Sequence, residues 1–379
     1  MLKLATLLFS LLFLLLITGL TGCGNGDEAT PAGTPAAISS PTSTPDNRIV
    51  TFADPDLEEA IREATGKTLG IIYQSNLDGL TSLDASKRNI RNLSGLEHCT
   101  SLTELDLSDN WITDISRLSG LTSLTSLDLS NNNGLSDIGW LAGLTSLEKL
   151  DLNYADVSDI SALSGLTGLT ELALSSNRIS NIEPLSGLTG LTKLYLYDNG
   201  VSDINPLSTL SSLKKLDLSY NQLSNIDALS GLSSLTVLDL SNTRVSDIGP
   251  LAALSNLTFL ELDGNGITDI SPLSGLVNLT WLYLNNNRVS DISPLSGLTS
   301  LESLNLNYNQ ISDVSPLSGL TSLIWLHVLD NGISNIGPLV DNSGLGARDS
   351  VNLRGNPLSA VSADVYIPQL EARGVYVQW

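Results

Sequence analysis

Acidic side chains recur at almost constant spacing along this chain: Asp84, Asp106, Asp128 and Asp151, then Asp217, Asp239 and Glu261. If each stood at the same place on neighbouring parallel strands, adjacent carboxylates would lie about 4.8 Å apart, near the separation a retaining glycosidase uses. Paired-carboxylate catalysis also needs an enclosure that drives the two pKa values apart. An open sheet offers none, so the column reads as a solvated acidic stripe, with a cation between paired aspartates as the lesser alternative. The two histidines, His98 and His327, have ten repeat units between them, and no H-E-x-x-H, C-x-x-C, phosphate loop or G-x-S-x-G occurs. The residues therefore indicate a binding protein rather than an enzyme, with no cofactor and no metal site.

The elements that place these carboxylates come from a repeat of 22 residues, clearest from Leu301 to Ser322 as LESLNLNYNQISDVSPLSGLTS. Equal steps put earlier starts at Leu279, Leu257, Leu235, Leu213, Leu191, Leu169 and Leu147. One extra residue in the stretch 131–134 resets the register to Leu124, Leu102 and Leu80. Leu323 opens a further copy and an irregular one runs from Arg348 to Leu358, about thirteen coils in all. Such a period marks a solenoid, which adds coils rather than separate cores.

Numbered from its first leucine, the unit is apolar at positions 1, 4, 6, 11, 14, 17 and 20. The alternation around positions 4 and 6 is that of a short strand. Position 9 is usually asparagine (Asn110, Asn177, Asn199, Asn221, Asn265, Asn287, Asn309, Asn331), which predicts a stacked column of amides satisfying turn backbone. Arg88, Ala155 and Thr243 interrupt that column. Aspartate before the position-14 residue (Asp114, Asp159, Asp203, Asp247, Asp269, Asp291, Asp313) reads as a turn cap. Proline at position 16 follows a capping residue into a short helical turn, and glycine at position 19 permits the return toward the next strand.

The pattern LxxLxLxxNxIxDIxPLxGLT resembles the leucine-rich repeat in its bacterial, internalin-like form of 22 residues, over nearly everything from about residue 50 onward. The resemblance implies an α/β solenoid: a leucine-rich-repeat horseshoe with parallel strands on the concave face, 3₁₀ or extended turns on the convex face, and caps at both ends. Residues 80–358 form the array. Residues 49–79 would cap its first coil, with Asp54-Pro55 starting a helix whose Leu57, Ala60, Ile61 and Ala64 share a face, and Ile71 to Tyr73 as an edge strand. Residues 359–379 would cap the other end, with a helix from Ala363 to Arg373 and a strand at Val375 to Val377.

The first 22 residues read as a secretory signal, with Lys3 ahead of an apolar run from Leu7 to Ile17. Leu20-Thr21-Gly22-Cys23 resembles the bacterial lipobox, which implies a lipid on Cys23 and an exported protein anchored to the cell membrane or outer membrane. Residues 23–48, rich in Pro, Thr and Ser, read as a disordered tether reaching at most ~80–90 Å. Cys99 then has no partner and reads as a buried structural thiol.

The formal net charge of −22 argues against nucleic acid or anionic lipid on a basic face. Candidate binding residues are the aromatics at concave positions 3, 5 and 7 and at the marginal position 8: Phe259, Trp281, Tyr283, Tyr308, Trp325 and His327, beside Asn285, Asn286, Asn305 and Asn307. A smaller cluster holds Tyr195, Tyr197 and Tyr220. Exposed aromatics beside amides form a surface for a protein ligand, as on an adhesin or receptor. The alternatives are a polysaccharide stacked on Trp281 and Trp325, or an envelope spacer with no specific ligand.

Overall fold

Each coil contributes three residues to one sheet, because only positions 3 to 5 run extended before the chain turns. The computed structural model describes residues 48–379 apart from Ser224. The secretory signal, Cys23 and nearly all of the tether lie outside the described residues. Fourteen strands form one parallel sheet in unbroken chain order. The register is strict: Leu238 pairs with Leu216 on one side and Leu260 on the other. The leucine at position 4, replaced by Val351 in the last coil, therefore faces inward, and residues at positions 3 and 5 stand in columns across the concave face. The opposite, convex side is made of short 3₁₀ turns such as Ser271–Gly275 and Ser293–Gly297.

The core is a continuous stack of these leucines, with Leu216 and Leu260 at most 1% exposed. Three ladders tie coil to coil. In the first, each position-9 amide donates to carbonyls of its own coil and of the one before: Asn221 Nδ2 reaches Leu196 O at 2.8 Å and Leu218 O at 2.9 Å. Its Oδ1 accepts from Val201 N at 2.9 Å. Asn132 and Asn356 join this column. At one predicted interruption, Thr243 substitutes in part, donating Oγ1 to Leu240 O at 2.7 Å. The second ladder is of threonines, in which Thr258 and Thr280 each donate to the carbonyl one coil back, at 3.1 and 2.9 Å. The third is the main-chain bonding of the sheet itself.

The convex aspartates are turn caps, as their recurrence predicts. Asp269 and Asp291 accept from the N–H two residues on at 2.8 Å. Two local expectations need correction. The residue before proline supplies no side-chain cap; that work is done by the carboxylate at position 13. Nor is position 19 the site of reversed backbone. Gly187, Gly275 and Gly297 have ordinary φ, and the left-handed residue is at position 8, as in Asp109 (φ 54°), Asn286 (φ 54°) and Tyr308 (φ 56°).

The N-terminal helix Pro55–Thr65 has Asp54 as its cap, accepting from Asp56 N at 3.0 Å, and ends at Gly66. Leu57, Ala60 and Ile61 are buried against the first coil, whereas Ala64 is exposed. Ile72–Tyr73 pairs antiparallel with Ile49–Val50, in a small sheet separate from the array. The docking is close at Gly95 (φ 107°), where a Cβ would meet Thr51 O and Phe52 Cδ1 at 2.6 Å. At the other end the strand Tyr376–Gln378 adds to the main sheet. The helix before it starts as a π-type turn at Ser362–Tyr366, which accommodates Pro368 and its missing N–H. Cys99 is buried and free, and burial pushes its thiol up to about 12. Among the described residues no helix is long and apolar enough to cross a membrane.

Candidate binding surface

Strand positions 3 and 5, and positions 7 and 8 just beyond, form the concave surface, and its character changes along the array. In the early coils position 3 holds Glu104, Lys149, Glu171 and Lys193, with Lys193 Nζ 2.6 Å from Glu171. In the late coils the same position holds Phe259, Trp281, Ser303 and Trp325 in direct register. Trp281 and Trp325 are 37% and 46% exposed, and they flank Ser303, which is buried between them. Tyr308 stands at the margin, 48% exposed. Phe259 does not join this exposed set. Only 6% of it is accessible, because Trp281 and Tyr283 pack edge-on against it, each with ring centroids 5.7 Å away. Tyr283 and His327 are half-buried, and burial lowers the His327 pKa.

The amides are more committed than their surface position suggests. Asn285 donates Nδ2 to Asp263 at 2.5 Å, and its buried Oδ1 has no partner. Asn307 Oδ1 accepts from Leu329 N at 2.8 Å, bracing the next coil. Asn305 Oδ1 accepts a long bond from Asn307 N at 3.3 Å. Asn286 is exposed. The mid-array cluster is real as a contact: Tyr197 and Tyr220 meet edge-on at 5.3 Å, with Tyr195 half-buried on the adjoining strand. Tyr154 was missed. It occupies position 8 of its coil, like Tyr220 and Tyr308, and is 48% exposed with φ 54°. Counting that position through every coil would have found it.

The acidic column is solvated at its N-terminal end, where Asp84 is exposed, part-buried along most of its length and buried at Asp239. Each aspartate turns back to cap the chain leaving its strand: Asp239 Oδ1 accepts from Ser241 N at 2.8 Å and Ser241 Oγ at 2.6 Å. In the middle of the column Asp239 is only 3% exposed. Burial raises the Asp239 pKa well above the usual carboxylate range, and the charges of Asp217 and Glu261 add to this. Burial and Asp263 push Glu261 up to about 8; burial and Asp128 push Asp151 up to about 7. Burial also brings Asp263 to about 6. At the open N-terminal end Asp84 moves the other way, because its bonds from Ser86 outweigh its slight burial. Among the described residues no three His, Cys, Asp or Glu converge to hold a metal ion.

Comparison with known proteins agrees with this geometry. The family model for paired leucine-rich repeats matches residues 78–120, 100–143, 122–165, 145–187, 233–275 and 277–319. A second leucine-rich-repeat model matches residues 189–245. An internalin of Listeria monocytogenes (inlF) is similar at 35% identity and a TM-score of 0.82, over 86% of this chain and 96% of the other. A TDR receptor is similar at 25% identity and a TM-score of 0.66, over 75% of this chain and 53% of the receptor. The Toll protein of the Drosophila Toll–Spatzle complex, at 22% identity and a TM-score of 0.62 over 75% and 46%, shares the fold alone. No curated protein matches the sequence. With repeat models spanning more than half of it and an internalin matched along almost its whole length, the chain belongs to the leucine-rich-repeat family.

Proposed function

We propose that this is an exported, lipid-anchored leucine-rich-repeat protein that holds a protein partner on its concave face and performs no catalysis. The observation that carries the reading is the pair Trp281 and Trp325, each more than a third exposed on a rigid sheet where leucine fills the core. Large aromatic rings on a surface are anchors for a partner when the fold itself does not need them. Similarity to an internalin and to a TDR receptor supports a binding role. Lipid on Cys23 would hold the array outside the cytoplasm, on the tether of residues 23–48.

The test uses the full chain beside its Trp281→Ala/Trp325→Ala variant. Both are offered solubilised envelope proteins and, separately, protease-treated polysaccharide. Protein retained by the wild type and lost from a normally folded variant supports the reading. Polysaccharide retained in that way replaces it with a glycan module, and equal capture by both chains overturns it. Anchoring is checked by feeding labelled fatty acid, which should label the wild type and not Cys23→Ser.

A further inference from the structure

Where the array takes in its one extra residue, an asparagine precedes glycine in the open. Four Asn-Gly pairs fall among the described residues: Asn133-Gly134, Asn199-Gly200, Asn265-Gly266 and Asn331-Gly332. A fifth, Asn25-Gly26, lies outside them. The dipeptide has a chemistry of its own. The main-chain nitrogen after an asparagine can attack the side-chain Cγ, and glycine, lacking a Cβ, leaves that approach unhindered. By dipeptide the four pairs are alike; by surroundings they are not.

Three of them are locked, because Asn199, Asn265 and Asn331 belong to the amide column at position 9. Asn199 Nδ2 donates to Leu174 O at 2.9 Å, and its Oδ1 accepts from Ile179 N at 2.9 Å. Asn265 and Asn331 donate in the same way to Leu240 O and Leu306 O, at 2.8 and 2.9 Å. Their Oδ1 atoms accept from Val245 N and Ile311 N. In two of the pairs the attacking nitrogen is engaged as well: Gly200 N donates to Ile179 O and Gly332 N to Ile311 O, each at 2.8 Å.

Asn133 has neither restraint. In its coil Asn132 fills the column, donating to Leu107 O at 3.0 Å and to Leu129 O at 2.9 Å. The extra residue sets Asn133 and Gly134 into a turn, closed by Leu135 N donating to Asn132 O at 3.1 Å. Among the described residues no group bonds to the Asn133 side chain, to its N–H or to Gly134 N. Asn133 is exposed and Gly134 has φ 98°. A Cβ at Gly134 would meet only Thr113 Cγ2, at 3.4 Å. The Asn133 side chain can thus swing onto the Gly134 nitrogen without giving up a bond of its own.

We infer that Asn133 is a site of spontaneous covalent modification, by deamidation through a cyclic imide. Gly134 N bonds to Asn133 Cγ, the Cγ–Nδ2 bond breaks, and Nδ2 leaves as ammonia with the proton Gly134 N gives up. One water then opens the imide and returns a proton to nitrogen. Attack at the main-chain carbonyl carbon of residue 133 gives isoaspartate, and attack at Cγ gives aspartate. Either product places a new carboxylate on the turn. Isoaspartate also adds a methylene to the main chain where the array changes register.

The test incubates the purified full chain at mildly alkaline pH and maps its peptides by mass spectrometry. Exchange of NH for O marks deamidation, and enzymatic carboxyl methylation marks isoaspartate. In the folded chain Asn133 should convert at least about tenfold faster than Asn199, Asn265 and Asn331, which react only when their coils open locally. In denaturant the four should react at similar rates. Asn133→Gln should unfold like the wild type and lose the early methyl label from that peptide. Equal rates at the four sites in the folded chain would overturn the inference. A lead for Asn133 that persists in denaturant would also overturn it, by tracing the reactivity to neighbouring sequence. So would a label retained in the Asn133→Gln peptide, which would belong to another residue.

Discussion

The early and late coils share one backbone and differ almost wholly in what they show on the concave face. Around Lys149 to Lys193 the surface is a mosaic of opposite charges, closed by the Lys193–Glu171 pair. From Phe259 to Trp325 position 3 carries a ring in every coil but that of Ser303, with acids crowded at the boundary. Beneath both lie identical leucines, amide bonds and threonine bonds. The core and ladders thus set the frame, and the side chains at positions 3, 5, 7 and 8 vary upon it.

That separation is breakable first through the core, where the largest effects are expected. Leu216→Ala in the charged stretch and Leu260→Ala beneath the rings should each cost about 2–5 kcal/mol, as for other buried leucines, measured by denaturant unfolding. Both are sealed from solvent, at 1% and 0% exposure. If either costs under about half a kcal/mol, the two regions do not share one core.

Much of this was legible in the residues because a solenoid repeats its physics. A period of 22 residues with leucine at position 4 leaves one way to stack the strands, and the register of Leu216, Leu238 and Leu260 follows it. Asp269 and its equivalents were readable as caps because they recur on the face where nothing else changes. What was not legible depends on neighbours rather than period. Spacing places Asp239 beside Asp217, but it does not give the burial of Asp239. Phe259 reads as an exposed ring until Trp281 and Tyr283 are seen to cover it. The reversed backbone at position 8 had a signal in Asp109, Asn131, Asp198, Asn242 and Asn286, residue types that tolerate positive φ, and was masked only where Tyr154, Tyr220 and Tyr308 stand.

The acids make the second test, of middling size. Glu261, pushed up to about 8, and Asp151, pushed up to about 7, keep protons in the fold that the unfolded chain gives up near pH ~4. Their contribution is full below the unfolded pKa and is lost as pH rises through 7 to 8. The convex Asp114, Asp159, Asp269 and Asp291 have lowered pKa values from their serine bonds, so they act oppositely and only in more acidic solution. Thermal melts should therefore give a Tm at about pH 5 at least ~2 °C above that at about pH 8.5. Asp239→Asn should shrink the difference. A Tm that climbs over the same interval would mean the concave acids are solvated after all, and the boundary between the two regions would lose its electrostatic meaning.

The smallest effect separates fold from function at the margin. Tyr308 holds φ at 56° while 48% exposed, and Tyr154 and Tyr220 share that backbone. Other coils put Asp109, Asn131, Asp198, Asn242, Asn286 and Asp330 there, residue types that tolerate the left-handed region, besides Lys87, Ser176 and Gly264. A bulky side chain in it costs about 1 kcal/mol or more, and such strain persists where something other than stability holds it. Tyr308→Asn should accordingly raise unfolding stability by up to ~1 kcal/mol while weakening partner capture. If the substitution instead destabilises the chain, the ring is bracing its coil and belongs with the leucines. If it stabilises the chain and weakens capture, the tyrosines at position 8 are recognition residues maintained against the preference of their own backbone.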